Sequence, residues 1–283
     1  MPPTLGKDIL VYEATRDIQL NDILSKAAEL QIPVLIRNFA SISDGMGKGS
    51  VMSSIMEFLQ YQNQNGKPPP YCQIQREVVR GEHLTYDSLL KEFSKDPTNR
   101  SGATNVLDLP FDHFNMQHLE NFHPSPFITD RDLSDKGIPH PGDSYKLRLG
   151  EGVRLPSVRR WMLLSGDGSV STFHRDIWGF WTAVRMSEGE KLWAWAEANE
   201  ENVRIRMQHG DIASVCEFTK VFGVLLRPGD LFIMNPGLIH AVVTNGDACA
   251  LGMHFLLAET LEQSLLLARK ILQKTISQMR IRK

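Results

Sequence analysis

The segment RRWMLLSGDGSVSTFH, residues 159–174, holds two short apolar runs separated by Ser-Gly-Asp-Gly and ends on a histidine. Gly-Asp pairs are typical of tight turns between antiparallel strands, so the segment predicts a β-hairpin. Similar apolar runs, separated by SEGE, RPGD and NGDA, continue to about Leu257. Strands of roughly five to eight residues between such turns indicate a β-sandwich or a small barrel.

The residues before this β-rich part combine helical and extended patterns. The run IPVLIRNF around Pro33 predicts a buried strand. GSVMSSIMEFLQYQ and LTYDSLLKEF have helical spacing, with Ser50 and Thr85 as expected N-caps. Residues 123–145 hold four prolines and predict a loop that lies over a site. DIQLNDILSKAAEL predicts a helix whose apolar face carries Leu20, Ile23, Leu24, Ala27 and Leu30.

A second amphipathic helix is predicted after the β-rich part, from Glu259 to Arg280. Its apolar stripe is broader than one contact with the protein's own core needs, so we expect a homodimer that shares this C-terminal helix across a two-fold axis. The stripe comprises Leu261, Leu265, Ala268, Leu272 and Met279, widened by Leu266, Leu267, Ile271 and Ile276.

Composition excludes several classes of protein. The 283 residues carry a formal net charge of -2, which gives no strong nucleic-acid signal and no general attraction to anionic lipid. The six basic residues from Arg269 onward are expected to form a solvated helical face rather than a nuclear signal. Cys72, Cys216 and Cys249 are far apart, which argues against a disulfide framework or a zinc knuckle. The N-terminus lacks a signal-peptide pattern and no apolar stretch is long enough to span a bilayer, so we expect an intracellular protein of the cytoplasm or nucleus.

The histidine that ends the opening segment begins the triplet His174-Arg175-Asp176. Nine histidines and 33 acidic residues in this chain would give about one H-x-[DE] triplet by chance. The chain holds three, the other two being His118/Glu120 and His209/Asp211. On a strand, residues i and i+2 share a face, so His174 and Asp176 would project together with Arg175 turned outward. That arrangement suits two ligands of one metal ion.

A third ligand is offered by RPGDLFIMNPGLIHAVVTN, residues 227–245. Its His240 lies 64 positions beyond Asp176 (240 minus 176) on a predicted strand. Two histidines and one carboxylate on one face of an octahedral ion leave adjacent positions open, as in non-haem Fe(II) oxygenases. A single histidine in a strand is more often a core residue than a ligand, so the hypothesis depends on all three residues together.

Three segments carry recognisable motifs: STFHRDIWGFW has H-x-D, SEGEKLWAW has G-x-K-x-W, and RPGDLFIMNPGLIHAVVTN has G-D followed by P-G-x-x-H. Together they resemble the Jumonji C (JmjC) family of Fe(II)- and 2-oxoglutarate-dependent oxygenases of the cupin superfamily. The run IPVLIRNF is also similar to the strand that opens many hydroxylase-type members. The resemblance spans most of residues 30–257 and is strongest over 161–245. The triplets at His118 and His209 lack these following motifs and are expected to be surface pairs.

The resemblance implies an α+β, mainly β fold: a double-stranded β-helix, the jelly-roll barrel of cupins. It implies a single JmjC-type oxygenase domain over residues 1–283. This domain would comprise a mixed helical and strand part (1–150), a β-helix core with the metal site (151–257) and a C-terminal helix (258–283).

The resemblance also implies roles for individual residues. His174, Asp176 and His240 would be the catalytic ligands of Fe(II), and 2-oxoglutarate would be the co-substrate. Lys191 in GEKLW would hold its distal carboxylate, because a dianion in a low-dielectric barrel needs a cationic donor at its far end. Ser171 stands where the family often has a threonine hydroxyl near the same carboxylate.

Two departures from the family pattern concern the co-substrate. The family often carries an asparagine after the aspartate, and the corresponding GFWTAVRM has none. His254 in GMHFLL falls where an asparagine often lies on a late strand, and is expected either to contact the co-substrate region or to be a core hydrogen-bonder. Trp178 shares the ligand face and is the aromatic candidate for the substrate pocket, whereas Trp181, Trp193 and Trp195 are expected to pack in the core.

The sequence therefore predicts a 2-oxoglutarate-dependent dioxygenase, an oxidoreductase that hydroxylates a protein side chain or a small molecule. It would convert 2-oxoglutarate and O2 to succinate and CO2. The alternative enzyme is an N-methyl-lysine (histone) demethylase, against which stands the lack of a zinc cluster or chromatin-reader module in the sequence. The alternative from another class is a catalytically silent cupin-like binding protein, against which stands the intact ligand triad.

Overall fold

The structure is a computed structural model of the chain. It describes residues 4–6, 8–15, 19–39, 51–65, 73–76, 86–96, 99–100, 102–111, 124, 128, 132–133, 159–176, 179–197, 199–209 and 218–267. The strands are β1 (Thr4–Gly6), β2 (Ile9–Glu13), β3 (Val34–Arg37), β4 (Gln73–Arg76), β5 (Thr104–Pro110), β6 (Arg160–Ser165), β7 (Val170–His174), β8 (Trp181–Ala196), β9 (Val221–Leu226), β10 (Leu231–Met234) and β11 (His240–Phe255). The helices are α1 (Leu20–Leu30), α2 (Val51–Gln64), α3 (Tyr86–Phe93), α4 (Glu200–His209) and α5, which begins at residue 261 and is described to residue 267.

The strands in the described part of the chain form one sheet in the order β1-β2-β3-β10-β8-β11-β6-β5-β4, with β7 and β9 joined beside this path. Its centre is the antiparallel pair of β8 and β11, each 16 residues long. One half of this pair is flanked by β10 and β6, and the other half by β9 and β7. The architecture is thus mainly β with few helices, as the sequence predicted.

Two of the four predicted turns are confirmed and two are wrong. SGDG turns the chain between β6 and β7, and RPGD turns it between β9 and β10. SEGE and NGDA instead lie inside β8 and β11, where the register of the two strands shifts between Asn245 and Cys249. Gly189 has a φ of 69°, and a Cβ there would collide with the carbonyl oxygen of Asp247. The glycine therefore allows an irregularity that bends a continuing strand, which is why both strands exceed the predicted length.

The predicted helices and strand of the N-terminal part are confirmed. Residues 34–37 form the buried strand β3, and α1, α2 and α3 match the three helical patterns. Buried side chains of α1 include Ile23, Leu24 and Ala27, but Leu30 at its C-terminal end is 38% exposed. The proposed N-caps Ser50 and Thr85 lie outside the described residues.

Alternation along the strands divides the core into layers that position the site. In β8, Trp181 and Ala183 pack toward α1, whereas Val184 and Met186 point to the opposite face. That opposite face is the interior enclosed by β6, β8, β10 and β11, and it also contains Trp193. A third apolar cluster packs α2 and α3 against β5 and β6. The sequence-predicted site residues that are described lie on β7, β8 and β11, except Asp176, which lies two residues beyond the end of β7.

Several predicted regions fall largely outside the described residues. In the predicted loop 123–145, buried Asp132 forms an ion pair with Arg159 at 3.1 Å. The predicted C-terminal helix begins as a short 3₁₀ turn at Ala258–Thr260, continues as α5, and is not described beyond residue 267. Among the helices that the structure describes, none has the length and apolar character needed to cross a bilayer.

Candidate metal centre

The structure brings together the three predicted metal ligands His174, Asp176 and His240. One ligand atom from each lies within 4.8 Å of the others. The Oδ1 atom of Asp176 is 3.8 Å from Nε2 of His174 and 3.6 Å from Nε2 of His240. Octahedral donors about 2.1 Å from one ion lie about 3 Å apart, so only a small contraction would let these atoms hold a metal ion together.

Strand pairing explains why the two histidines meet. His174 is the last residue of β7, His240 is the first residue of β11, and the two are direct partners in the antiparallel register. Their ring centroids are 4.3 Å apart. Asp176 lies two residues beyond the end of β7, so the prediction that it shares a strand face with His174 is wrong in detail. The chain leaving the strand brings the carboxylate back toward the imidazoles.

Backbone carbonyls orient both imidazole rings. Nδ1 of His174 is 2.7 Å from the carbonyl oxygen of Thr172, and Nδ1 of His240 is 3.1 Å from that of Leu238. A carbonyl only accepts hydrogen bonds, so each Nδ1 carries a proton, and Nε2 is the ring nitrogen that faces Asp176. The ring of Trp193 stacks on His240 with centroids 5.6 Å apart and an interplanar angle of 17°. Both rings are therefore oriented with Nε2 as the nitrogen available to a metal ion.

Electrostatics favour the metal-binding forms of Asp176 and His240. Burial opposes the charged form of Asp176, but the nearby His240, His254 and His174 and a hydrogen bond with Thr182 outweigh it and lower the pKa of this carboxyl. Burial, reinforced by His174, lowers the pKa of His240. Near neutral pH the cluster thus offers an anionic oxygen and a neutral imidazole, which are the forms that bind a divalent metal.

His254 lies beside the three candidate ligands and is not one of the atoms that cluster there. Its Nδ1 is 3.1 Å from the hydroxyl of Thr182, and this hydroxyl is also hydrogen-bonded to Asp176. The ring of Trp161 packs against His254 with centroids 5.7 Å apart. His254 is 3% exposed, so the structure shows a buried hydrogen-bonding histidine next to a candidate ligand.

Lys191 lies at a second polar centre of the interior. Its side chain is 1% exposed, and Nζ donates to the hydroxyls of Ser165 at 2.7 Å and Thr244 at 2.8 Å. Both acceptors are neutral, so neither offsets the charge of the ammonium group. Burial lowers the pKa of Lys191 to about 7. A buried cation held by hydroxyls is suited to receive a carboxylate from a ligand.

Ser171 is connected to this lysine through residues that the sequence did not single out. Nδ2 of Asn105 donates to Oγ of Ser171 at 3.0 Å, and Oγ of Ser165 donates to Oδ1 of Asn105 at 2.6 Å. On the other side, Ser169 donates to Thr244 at 2.9 Å. Thr244 faces Lys191 directly in the β8–β11 register, a pairing that only the folded sheet reveals. Asn105 comes from β5, 66 positions from Ser171, and no local motif marks it.

The remaining sequence predictions are partly outside the described structure. Trp178, the pocket candidate, and the His118/Glu120 pair are not described, and of the third triplet only the backbone of His209 is described. Trp181, Trp193 and Trp195 are buried, which confirms that these three aromatics pack in the core.

Comparisons with known proteins relate the chain to the same family as the motifs. It is 28% identical over 180 residues to JmjC domain-containing histone demethylation protein 1 of Debaryomyces hansenii, and the aligned part covers 58% of this chain and 33% of that protein. It is 25% identical over 187 residues to lysine-specific demethylase 2A of Xenopus tropicalis, covering 62% of this chain and 16% of that protein. The chain is related to the JmjC family.

The relationship concerns one part of larger proteins. JmjC domain-containing histone demethylation protein 1 of Saccharomyces cerevisiae matches at 25% identity over 179 residues, 60% of this chain and 36% of that protein. The chain thus aligns with about a third or less of the length of these JmjC relatives. No protein-family model matches the chain.

Proposed function

We propose that the chain is an Fe(II)- and 2-oxoglutarate-dependent oxygenase that removes methyl groups from N-methyl-lysine in a protein. The observation that carries this proposal is the cluster of His174, Asp176 and His240 together with the buried Lys191 of β8, the strand that pairs with β11 and its His240. A triad of two imidazoles and a carboxylate suits Fe(II), and a buried ammonium group suits the far carboxylate of a dicarboxylic co-substrate.

The proposed fold and domain organisation follow the same relationship. Strands β6 to β11 would form a double-stranded β-helix, with residues 151–257 as the catalytic core of a single domain. The long β8–β11 pair, flanked by β10 and β6 at one end and by β9 and β7 at the other, supports this arrangement. The bend at Gly189 lets one pair of strands contribute to both faces of a barrel.

The residues would divide the chemistry between two ends of the interior. The bound iron would couple oxidative decarboxylation of 2-oxoglutarate by O2, giving succinate and CO2, to oxidation of a substrate C–H bond. His174, Asp176 and His240 would hold the ion through Nε2 and carboxylate oxygens, with the rings kept in place by Thr172 and Leu238. Lys191, with Ser171, would bind the distal carboxylate and so orient the co-substrate.

The names of the relatives favour demethylation over the hydroxylation inferred from the sequence. Hydroxylation of an N-methyl group gives a carbinolamine that releases formaldehyde and leaves the amine with one methyl group fewer. Two of the three relatives are named histone demethylation proteins, and the third is named a lysine-specific demethylase. A methylated lysine in a protein is therefore the proposed substrate, and an intracellular location follows from a substrate of this kind.

Two products separate the hypotheses. The Fe(II)-loaded protein would be incubated in air with 2-oxoglutarate and a panel of mono-, di- and trimethyl-lysine histone peptides. Succinate and formaldehyde would then be measured. Both products are expected in equal amounts with a methylated peptide. Succinate with a hydroxylated peptide and no formaldehyde would support the hydroxylase hypothesis instead. An iron-loaded protein that binds 2-oxoglutarate without forming succinate would support the binding-protein hypothesis.

A further inference from the structure

The histidines and the aspartate of the metal centre are held in place by different means. His174 and His240 are fixed by the direct pairing of β7 with β11 and by hydrogen bonds to backbone carbonyls. Asp176 lies two residues beyond the end of β7 and outside this pairing. Its carboxylate therefore depends on neighbouring side chains to keep one orientation toward an ion.

The side chains that hold it are the buried pair Thr182 and His254. The hydroxyl of Thr182 is hydrogen-bonded to Asp176 and lies 3.1 Å from Nδ1 of His254. Thr182 and His254 are direct partners in the register of β8 and β11, and they are 1% and 3% exposed. Thr182 also pairs with Met234 of β10, so it belongs to a part of β8 that is fixed along both edges.

The chemistry of the groups fixes the direction of both hydrogen bonds. An ionised carboxylate only accepts, so Thr182 gives its single hydroxyl proton to Asp176. The hydroxyl oxygen then accepts from His254, whose Nδ1 carries a proton. His254 thereby orients the hydroxyl, and the hydroxyl orients the carboxylate.

Packing holds the ring of His254 in the place that this donation requires. Trp161 packs against it with ring centroids 5.7 Å apart. Gly252 shares a strand face with His254 and faces Trp161 in the register of β6 and β11. A Cβ at Gly252 would lie 2.1 Å from the indole ring, so the glycine leaves the space in which Trp161 lies beside His254.

Polar groups of this kind are a poor way to stabilise a core. Apolar side chains of similar shape would fill the same space without the desolvation of a hydroxyl and an imidazole. A hydrogen-bonded polar network does, however, hold its members in one geometry. Positioning of Asp176 accounts for the pair of Thr182 and His254 better than stability does.

We propose that Thr182 and His254 are positioning residues that hold the carboxylate of Asp176 in one orientation toward the metal ion, with His254 acting through Thr182. This inference rests on the proposed function, since the ion is that of the same centre. A carboxylate that is already oriented spares the ordering of this ligand when the ion binds. Residues that hydrogen-bond a metal ligand typically contribute about ten- to a hundredfold to metal affinity.

A double-mutant cycle read out by metal binding tests the proposal. Apoprotein is titrated with Mn(II) and the free ion is followed by electron paramagnetic resonance, for wild type, Thr182→Val, His254→Leu and the double variant. Valine keeps the shape of threonine without the hydroxyl, so Thr182→Val should bind Mn(II) about ten- to a hundredfold more weakly. His254→Leu should also weaken binding. Because His254 acts through Thr182, the double variant should bind about as weakly as Thr182→Val alone.

Two milder variants separate positioning from packing. The amide nitrogen of asparagine and Nδ1 of histidine are both bonded to the γ carbon, so His254→Asn can still donate to Thr182. Leucine has the branched shape of asparagine but no donor. His254→Asn should therefore bind Mn(II) nearly as tightly as wild type, although it loses the same ring contact with Trp161 as His254→Leu. Thr182→Ser, which keeps the hydroxyl, should likewise retain the affinity.

Thr260→Val is the matched control. Thr260 is 3% exposed, and its hydroxyl accepts a hydrogen bond from Nε1 of Trp181 at 2.8 Å. Trp181 is adjacent to Thr182 in sequence, but its side chain points to the opposite face of β8. Thr260→Val should lower the melting temperature and leave Mn(II) affinity unchanged.

The outcomes distinguish this inference from the proposed function. If wild type does not bind Mn(II), the proposed function is wrong, and this inference with it. If wild type binds and Thr182→Val binds equally tightly, or His254→Asn binds as weakly as His254→Leu, the inference alone is wrong. Penalties of Thr182→Val and His254→Leu that multiply would also refute it, because His254 would then not act through Thr182. Equal weakening by Thr260→Val would overturn it as well, since the effect would then reflect general loosening of the core.

Discussion

Replacing Lys191 by methionine should weaken 2-oxoglutarate binding and leave metal binding intact. Methionine keeps most of the buried volume of the lysine stem but offers no donor to the carboxylate. A hydrogen bond to a charged group in a buried site contributes about 1.5–3 kcal/mol. At about 1.4 kcal/mol per factor of ten, the variant should bind 2-oxoglutarate on the order of ten- to a hundredfold more weakly. The ligand atoms at His174, Asp176 and His240 are untouched.

The same lysine should make co-substrate binding depend on pH. Burial lowers the pKa of Lys191 to about 7, and its neighbour Cys249 adds no charge because burial raises the pKa of that thiol. Above pH 7 the free protein therefore loses the ammonium proton, whereas a bound carboxylate favours keeping it. Binding must then take up a proton, and 2-oxoglutarate affinity should fall about tenfold for each pH unit above 7.

Calorimetry on the Mn(II)-loaded protein measures both effects. Titrations with 2-oxoglutarate at pH 6.5, 7.5 and 8.5, each in two buffers of different ionisation enthalpy, give the affinity and the number of protons taken up. Wild type should take up close to one proton at pH 8.5, and Lys191→Met should take up none and show a flat profile. An unchanged affinity in Lys191→Met, or a pH slope shared by both proteins, would refute the role given to this residue.

Three further predictions concern stability and assembly. Between pH 7 and 10 the unfolded chain keeps a proton on Lys191 that the folded chain has released, so the free energy of unfolding of the apoprotein should rise over this range. Chemical denaturation at several pH values should show this rise in wild type and not in Lys191→Met. Gly189→Val should lower the melting temperature by several degrees, because a side chain at φ 69° collides with the carbonyl of Asp247. The control Gly168→Val, at φ 72° with open space around it, should lower the melting temperature less. Leu265 and Leu266 on α5 are 48% and 50% exposed, so the double variant Leu265→Glu/Leu266→Glu should convert the expected homodimer to a monomer. Light scattering measures the mass of both proteins, and a monomeric wild type would contradict the dimer.

The clustering of the three candidate ligands could be predicted from sequence because its signals are local. His174 and Asp176 are two positions apart, and His240 follows a recognisable Gly-Asp turn and a Pro-Gly pair. The triad's geometry could not be predicted in full, since Asp176 lies beyond the strand end and reaches the histidines through the path of the chain after β7. Lys191 was likewise visible in a short motif, whereas its partner Thr244 depends on strand register.

Long-range pairing explains the other differences. SEGE and NGDA have the composition of turns, but a glycine with positive φ can bend a strand as well as end it. Which of the two occurs depends on whether a partner strand continues alongside, and here β8 and β11 pair through both irregularities. Asn105 belongs to a strand far from the motifs, so only the fold shows that its amide joins Ser165 to Ser171.

Metal binding tests the central claim most directly. Apoprotein would be titrated with Mn(II) and the free ion followed by electron paramagnetic resonance, for wild type, His174→Ala and His209→Ala, with succinate formation measured in parallel on Fe(II)-loaded samples. Wild type and His209→Ala should bind one ion per chain and form succinate from 2-oxoglutarate, and His174→Ala should lose both because two donors remain. Full metal binding and succinate formation by His174→Ala, or their loss in His209→Ala, would contradict the assignment of the metal centre.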